Sequence, residues 1–230
     1  MKIIEPSAEL YDEINPEEIL RKLEVCGRVS RKSQPRNFTA EPRNDLARHD
    51  AIVGENQIEP RKSVEELRNE AAESFVRSII KRGHESVLEH VSLTFHIVCD
   101  RAIMAELTRH RLASFTVEST RYVKYNELTV IKPFSTPDGS DFTFFLIMKE
   151  AEKNYLFLIE EGVKPELARA VLPQCTATTL YMTANLREWR HVLKLRTDKA
   201  AHPQMRFVAG KIFEILRDRL PVIVEDINNE

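Results

Sequence analysis

RHRLASFTVESTRY, residues 109–122, combines basic residues with a run of hydroxyl side chains. Arg109, His110 and Arg111 open the stretch and Arg121 lies near its end. Guanidinium groups are rigid forks of N–H donors, which suit phosphates and planar carbonyl groups. Ser and Thr hydroxyls with loop backbone N–H groups suit phosphate oxygens. The stretch therefore predicts an anion-binding segment, although a solvated basic helix end would have the same composition.

The residues before this stretch predict a helix from Asp100 to Thr108, with Asp100 as its N-cap and an apolar stripe at helical spacing. If that helix continued, Arg109 and Arg111 would project about 200° apart, because each residue turns about 100°. One small anion could not then contact both side chains. Either the helix ends here, or the two arginines serve two ligands.

The composition excludes several classes of protein. The chain has 230 residues, enough for one large domain or two small ones, and its 42% hydrophobic and 30% charged residues are typical of a soluble globular protein. With no repeat and no linker in the sequence, we expect a single domain spanning residues 1–230. The net charge of −2 provides no general attraction to nucleic acid or anionic membrane. No apolar run approaches the roughly 20 residues that span a bilayer. We therefore expect a cytoplasmic protein that binds neither nucleic acid nor membrane.

Metal and disulfide chemistry is not predicted. Cys26, Cys99 and Cys175 are far apart and form no Cys-x-x-Cys pair, which argues against a disulfide framework and a zinc site. His84 and His90 lack the four-residue spacing that places two ligands on one helical face.

With only 6 glycines and no Gly-x-Gly-x-x-Gly, the chain has no signature of a nicotinamide-binding βαβ unit.

Outward from the central stretch, the pattern predicts helices and strands without regular alternation. Helices are expected from Asn15 to Gly27, from Ser63 to Gly83 and from Asn185 to about Arg196, each with a capping residue at its start. Strands are expected at 91–98, 128–131 and 176–182. Residues 31–62 show no sustained period and predict a long loop or an insertion. The order indicates a mixed α/β fold rather than a doubly wound sheet.

Several arginines lie near the ends of different predicted elements. They are Arg101, Arg109, Arg111, Arg121, Arg169, Arg187, Arg196 and Arg206. Individually, each has the composition of a solvated surface charge. Together they suit a site for large, planar, anionic ligands such as nucleotides and flavins. A nucleotide- or RNA-binding module without catalysis is the rival interpretation, and the near-neutral net charge disfavours it.

The motif Arg109-His110-Arg111, seven residues and then Ser119 resembles the Arg-His-Arg-x7-Ser signature of the flavin-dependent thymidylate synthases. The resemblance extends over most of the chain from about Ser63 to Leu220, plus the first helix. It includes Gly83-His84-Glu85-Ser86 upstream and, downstream, Arg169-Ala170-Val171-Leu172-Pro173, Asn185-Leu186-Arg187, Leu195-Arg196 and Ala201-His202-Pro203-Gln204-Met205-Arg206. Val117 departs from the family pattern, which usually has Glu or Gln there, and Gln204 stands where Glu is common.

The resemblance implies a mixed α/β (α+β) fold like that of the thymidylate synthase-complementing proteins. Its central sheet would be mostly antiparallel with flanking helices, and the protein would be a homotetramer with active sites at subunit interfaces. It also implies an enzyme of de novo thymidylate synthesis that methylates dUMP to dTMP. Methylenetetrahydrofolate would supply the carbon and NADPH the electrons, which a bound FAD would relay, without a protein nucleophile or a metal.

The resemblance also assigns residues to ligands. The dUMP site would consist of Glu106, Arg109, Glu118, Ser119, Thr120, Arg121, Arg169 and Arg196. The FAD site would consist of His84, Ser86, Arg109, His110, Arg111, Asn185, Arg187 and His191. Arg196 would be catalytic, because a guanidinium at the pyrimidine carbonyl edge favours the ionised ring and makes C5 nucleophilic.

Overall fold

The protein is described from a computed structural model covering residues 1–30, 62–134 and 140–227. Apart from Lys62, the loop or insertion predicted at 31–62 lies outside the described residues. The chain divides into two compact units, a helical unit of Ile14–Val91 and a sheet unit of Met1–Glu13 with Ser92–Glu230. A single domain over the whole chain stays a prediction.

The helical unit contains helices α1 (Pro16–Val29) and α2 (Val64–Lys81) and a 3₁₀ helix (Glu85–His90). Both predicted helix starts are confirmed. The Asn15 side chain accepts the backbone N–H groups of the first turn of α1. Ser63 forms a capping box at the start of α2. These caps satisfy N–H groups that have no partner within the helix.

The predicted end of α1 at Gly27 is wrong, because the helix continues to Val29. Gly27 is present for close packing instead. A Cβ atom added there would lie 2.7 Å from the ring of Phe75 on α2 and 3.3 Å from Val87. The missing side chain lets the two helices approach closely, so this glycine marks a contact rather than a helix stop.

The sheet unit has six strands among its described residues: β1 (Lys2–Ile4), β2 (Ser7–Leu10), β3 (Ser92–Asp100), β4 (Ala113–Val117), β5 (Thr129–Ile131) and β6 (Ala177–Asn185). Four of them form a sheet in the order β2-β3-β6-β4, in which every pairing is antiparallel. β1 and β5 form a separate parallel pair. The predicted mostly antiparallel sheet is confirmed.

Along the chain, the helices among the described residues of this unit lie between the strands and after the last one. They are α3 (Arg101–Leu107), α4 (Ser140–Glu160), α5 (Pro165–Ala168), a 3₁₀ turn (Arg169–Val171), α6 (Leu186–Arg196), α7 (Pro203–Arg219) and α8 (Pro221–Val224). Within the described parts of the chain, no helix is both long and apolar enough to cross a membrane. The cytoplasmic location stays a prediction.

Alternate side chains of β3 form a buried face of the sheet, and α6 packs against it. Leu93, Phe95 and Ile97 are buried on one face, as their spacing predicts. Trp189 of α6 is buried beside them, and its Nε1–H donates to the Leu93 carbonyl at 3.0 Å. Its ring meets Phe95 edge-on, with centroids 4.8 Å apart. The site residues carried by α6 are therefore held by a packed core.

Candidate active site

The site forms where α3 and α6 end. Asp100 caps α3 by accepting the Ile103 N–H at 2.8 Å, as predicted. The helix stops at Leu107, so Arg109 and Arg111 lie beyond it and their directions are not set by helical rotation. The first of the two alternatives posed by the sequence is therefore confirmed: the helix ends before the Arg-His-Arg motif.

Arg196, the last residue of α6, connects three groups at this point. Its Nη1 donates to Glu106 Oε2 and its Nη2 to the Glu106 carbonyl oxygen, each at 3.0 Å. Its Nε donates to His110 Nε2, also at 3.0 Å. A guanidinium has five N–H donors, so two remain for a ligand. Three predicted site residues, from two separate helices and a turn, are thus brought together around one cation.

His110 is buried, with 5% of its surface exposed, and it is neutral. Burial, the Arg196 charge and His191 lower its pKa to about 4. Because Nε2 accepts the Arg196 N–H, the single proton of the neutral ring resides on Nδ1. Nδ1 lies 3.4 Å from Oε1 of Glu188, a buried carboxyl whose pKa is raised by burial.

A metal ion is disfavoured at this cluster. The possible ligand atoms of His110, Glu188 and His191 all lie within 4.8 Å of one another. However, the permanent positive charge of Arg196 is bonded directly to the His110 ring. A cation would have to bind beside that charge and displace the Nδ1 proton. That the protein uses no metal stays a prediction.

A second group of predicted residues lies at the end of the central stretch. Arg169 Nη1 donates to the hydroxyl of the buried Thr120 at 3.2 Å. Glu118 accepts a short hydrogen bond from Tyr125, and the Ser119 hydroxyl accepts the Arg121 N–H at 3.3 Å. These contacts order the segment that follows β4 and place hydroxyls beside a guanidinium.

The remaining predicted residues are mostly on the surface. Arg109, Arg111, Arg121, Arg187 and His191 are exposed. Asn185 is half-buried and caps α6, because its Oδ1 accepts the Glu188 N–H at 2.9 Å. Its amide N–H groups are not needed for that cap.

His84 and Ser86 belong to the helical unit. They line a cavity of about 1020 Å³ within it, together with Arg28, Arg82 and His90. Guanidinium and imidazole groups in the lining suit an anionic ligand, and one carboxylate, Glu89, also lines the cavity. The structure does not test the roles assigned to His84 and Ser86, which stay predictions.

Sequence reasoning missed Glu188 and Tyr125. Glu188 stands in the first turn of α6, where acidic residues are common because they complement the helix dipole, so its type carried no signal. The signal that could have identified Glu188 as a site residue was its position three residues before His191. Tyr125 lies in a segment without regular structure, and only the fold places it against Glu118.

The low pKa of His110 predicts a loss of stability in acid. The pKa falls from its ordinary value of 6.5 to about 4 in the folded protein, so between these values the unfolded chain binds more protons. The stabilisation is complete above about pH 6.5, amounts to about 3 kcal/mol at most, and is lost as the pH falls through about 4. Urea unfolding across this range should show a smaller pH dependence in His110→Gln. Equal slopes in both proteins would contradict the assignment.

Comparison with known proteins places these observations in a family. The family model "Thymidylate synthase complementing protein" matches residues 16–222. The probable flavin-dependent thymidylate synthase of Mycobacterium phage D29 is 37% identical over 171 residues, covering 68% of this chain and 73% of that protein. The flavin-dependent thymidylate synthase of Pyrococcus abyssi is 35% identical over 164 residues, covering 68% and 67%.

A solved structure shares the fold over nearly the whole length. The UMP/dUMP methylase PolB from Streptomyces cacaoi, crystallised with 5-Br dUMP, superposes with a TM-score of 0.69 and covers 98% of this chain and 96% of that chain. At 23% identity, this likeness concerns the fold alone. With the family match over residues 16–222 and relatives above 30% identity, the chain belongs to the thymidylate synthase complementing protein family, that of the flavin-dependent thymidylate synthases.

Proposed function

We propose that this protein methylates dUMP to dTMP, with methylenetetrahydrofolate as carbon donor, NADPH as reductant and FAD as the bound relay. The observation that carries the proposal is the Arg196 cluster: one guanidinium, held by Glu106 and His110, beside the Arg-His-Arg motif that resembles the family signature. The relatives' names specify flavin and thymidylate synthesis. When bound, FAD would supply the transfer of the carbon unit and of hydride, which no side chain provides.

The residues present fit a flavin nucleotide. Arg109 and Arg111 are exposed and, among the described residues, form no ion pair. They would contact the phosphates and the electron-rich edge of the flavin ring, together with Arg187 and the Asn185 amide. His191 lies beside His110, with ring centroids 5.8 Å apart. It would contact the flavin from α6, the helix that also carries Arg187.

The dUMP site is assigned to the two groups described above. Arg196 has two N–H donors left for the pyrimidine carbonyl edge, where its charge would stabilise the ionised ring. Glu106 holds the guanidinium in one orientation and so reduces the entropy lost on binding. The phosphate and sugar are assigned to the segment after β4 and to basic residues near it: Arg109, Glu118, Ser119, Thr120, Arg121 and Arg169.

No protein nucleophile is needed in this proposal, and Cys175 is a poor candidate for one. Burial raises the pKa of its thiol to about 11, and its Sγ lies 3.1 Å from the Met148 thioether. A thiol that stays protonated at neutral pH is weakly nucleophilic. Cys175→Ala should therefore keep dTMP formation within about threefold of wild type. Complete loss of activity in a folded variant would support a covalent cysteine mechanism instead.

The homotetramer is also part of the proposal. Helix α4 exposes five large apolar side chains, each between 39% and 69% accessible: Phe142, Phe145, Leu146, Ile147 and Phe157. A concentration of apolar surface on one helix is typical of a protein–protein interface. Sedimentation equilibrium should give the mass of four chains. A monomer at micromolar concentration would contradict this part of the proposal.

The function is tested by an omission experiment on purified protein. Formation of dTMP from dUMP should require methylenetetrahydrofolate, NADPH and FAD together, and removal of any one should abolish it. A preparation that binds no FAD on reconstitution, or that makes dTMP equally without it, would overturn the proposal.

A further inference from the structure

Glu188 is a buried acid beside the His110 ring. It is 6% exposed, in the first turn of α6. The cap of α6 uses the backbone N–H of Glu188 and not its side chain, because Asn185 accepts that N–H. Buried carboxyl groups are costly unless they bond a partner. One polar neighbour is His110, whose Nδ1 lies 3.4 Å from Oε1, and His191 is another.

The two nitrogens of His110 face different groups. Nε2 accepts the Nε–H of Arg196 at 3.0 Å, so in the neutral ring the proton lies on Nδ1, the nitrogen that is 3.4 Å from Glu188 Oε1. If Glu188 did not accept that proton, the ring could rotate or change tautomer. It would then present an N–H to the Arg196 N–H, which is repulsive.

We propose that Glu188 is a positioning residue for the reaction: it fixes the His110 tautomer and ring orientation, and His110 in turn holds the Arg196 guanidinium. The proposal rests on the proposed function, in which Arg196 contacts the pyrimidine. This series of contacts runs from Glu188 through His110 to Arg196, and Glu106 binds the other nitrogens of Arg196. Outer residues of this kind orient the groups that contact the ligand.

The important property of Glu188 is its acceptor oxygen rather than its charge. Other charged or titratable groups act on the pair: Arg196 and His191 on His110, and Arg187 and His191 on Glu188. Because His110 is neutral, its 3.4 Å contact with Glu188 is not an ion pair, and the proposal gives Glu188 the part of hydrogen-bond acceptor for Nδ1–H. The amide oxygen of glutamine can accept the same proton.

Substitutions at position 188 in the FAD-reconstituted protein test the proposal by kinetics. Glu188→Leu keeps the volume but removes the acceptor, and should lower kcat/KM for dUMP by at least about tenfold. Glu188→Gln should remain within about threefold of wild type. Glu188→Ala replaces the leucine variant if that protein does not fold. The matched control is Glu152→Ala, which removes a buried carboxyl bonded to the Leu128 N–H and to Lys149. It should lower the melting temperature without lowering kcat/KM.

A second readout follows the ring itself. In protein with ¹⁵N-labelled imidazoles, His110 should be the Nδ1–H tautomer in wild type and Glu188→Gln, with that population reduced in Glu188→Leu. An unchanged tautomer in Glu188→Leu, or equal loss of kcat/KM in the leucine and glutamine variants, would overturn the proposal. This readout needs no turnover. If wild type made no dTMP but the tautomer responded, the proposed function would fail while the positioning role of Glu188 held.

Discussion

Replacing Arg196 with alanine is expected to slow dTMP formation by about 100- to 1000-fold, the loss typical when one donor to a developing charge is removed. The physical reason is that Arg196 supplies the positive charge assigned to the pyrimidine edge. The substitution also leaves Glu106 without its partner. Reduction of bound FAD by NADPH should change by no more than about threefold, because that half-reaction needs no ionised pyrimidine.

The two half-reactions can be measured separately in the same variant. Anaerobic stopped-flow absorbance gives the rate of flavin reduction, and quenched samples give dTMP. Arg217→Ala, an exposed arginine on α7 outside the site, is the matched control and should affect neither rate. Equal slowing of both half-reactions in Arg196→Ala would reject the role given to Arg196.

Replacing Arg190 with alanine is expected to cost about 3–5 kcal/mol of folding stability, because it removes a large buried side chain and its charge-assisted hydrogen bonds. Arg190 is 1% exposed. Its Nη1 and Nη2 contact the two carboxylate oxygens of Asp226 at 2.6 and 2.8 Å, and Nη1 also donates to the Ile223 carbonyl. The substitution removes all these donors and disconnects the segment after α8 from α6.

Urea unfolding at a fixed FAD concentration measures this loss, because a bound ligand would otherwise add its own stabilisation. Asp226→Asn is the comparison. Asp226 is 45% exposed and its amide replacement keeps one acceptor oxygen, so that variant should lose much less stability. Similar losses in the two variants would show that the buried guanidinium is not the main source of the effect.

Local sequence signals predicted the helix starts well. Asn15, Ser63, Asp100 and Asn185 each cap a helix as expected, because capping depends on a few neighbouring residues. The end of the helix before Arg109 is one of the two alternatives that the sequence leaves open, because a continued helix would separate Arg109 from Arg111.

Strand β4 (Ala113–Val117) was not predicted. Its hydroxyl-rich sequence predicts an anion-binding segment, and none of its five residues is buried. It is a strand because it pairs with β6, and such pairing depends on residues far away in the chain. The same limit applies to the site. The family resemblance assigns Arg196 and His110 separately, from different parts of the sequence, whereas Glu188 is recognisable only once α6 packs against the turn after α3.

The central claim is that guanidinium groups from separate segments hold one flavin against one pyrimidine nucleotide. The most direct measurement is an experimental structure of the assembled protein with FAD and dUMP bound. We expect Arg109, Arg169, Arg187 and Arg196 to contact a single flavin–nucleotide pair, with Arg196 at the pyrimidine carbonyl edge. A structure in which these four side chains lie on unrelated surfaces, with all copies of the chain considered, would contradict the account.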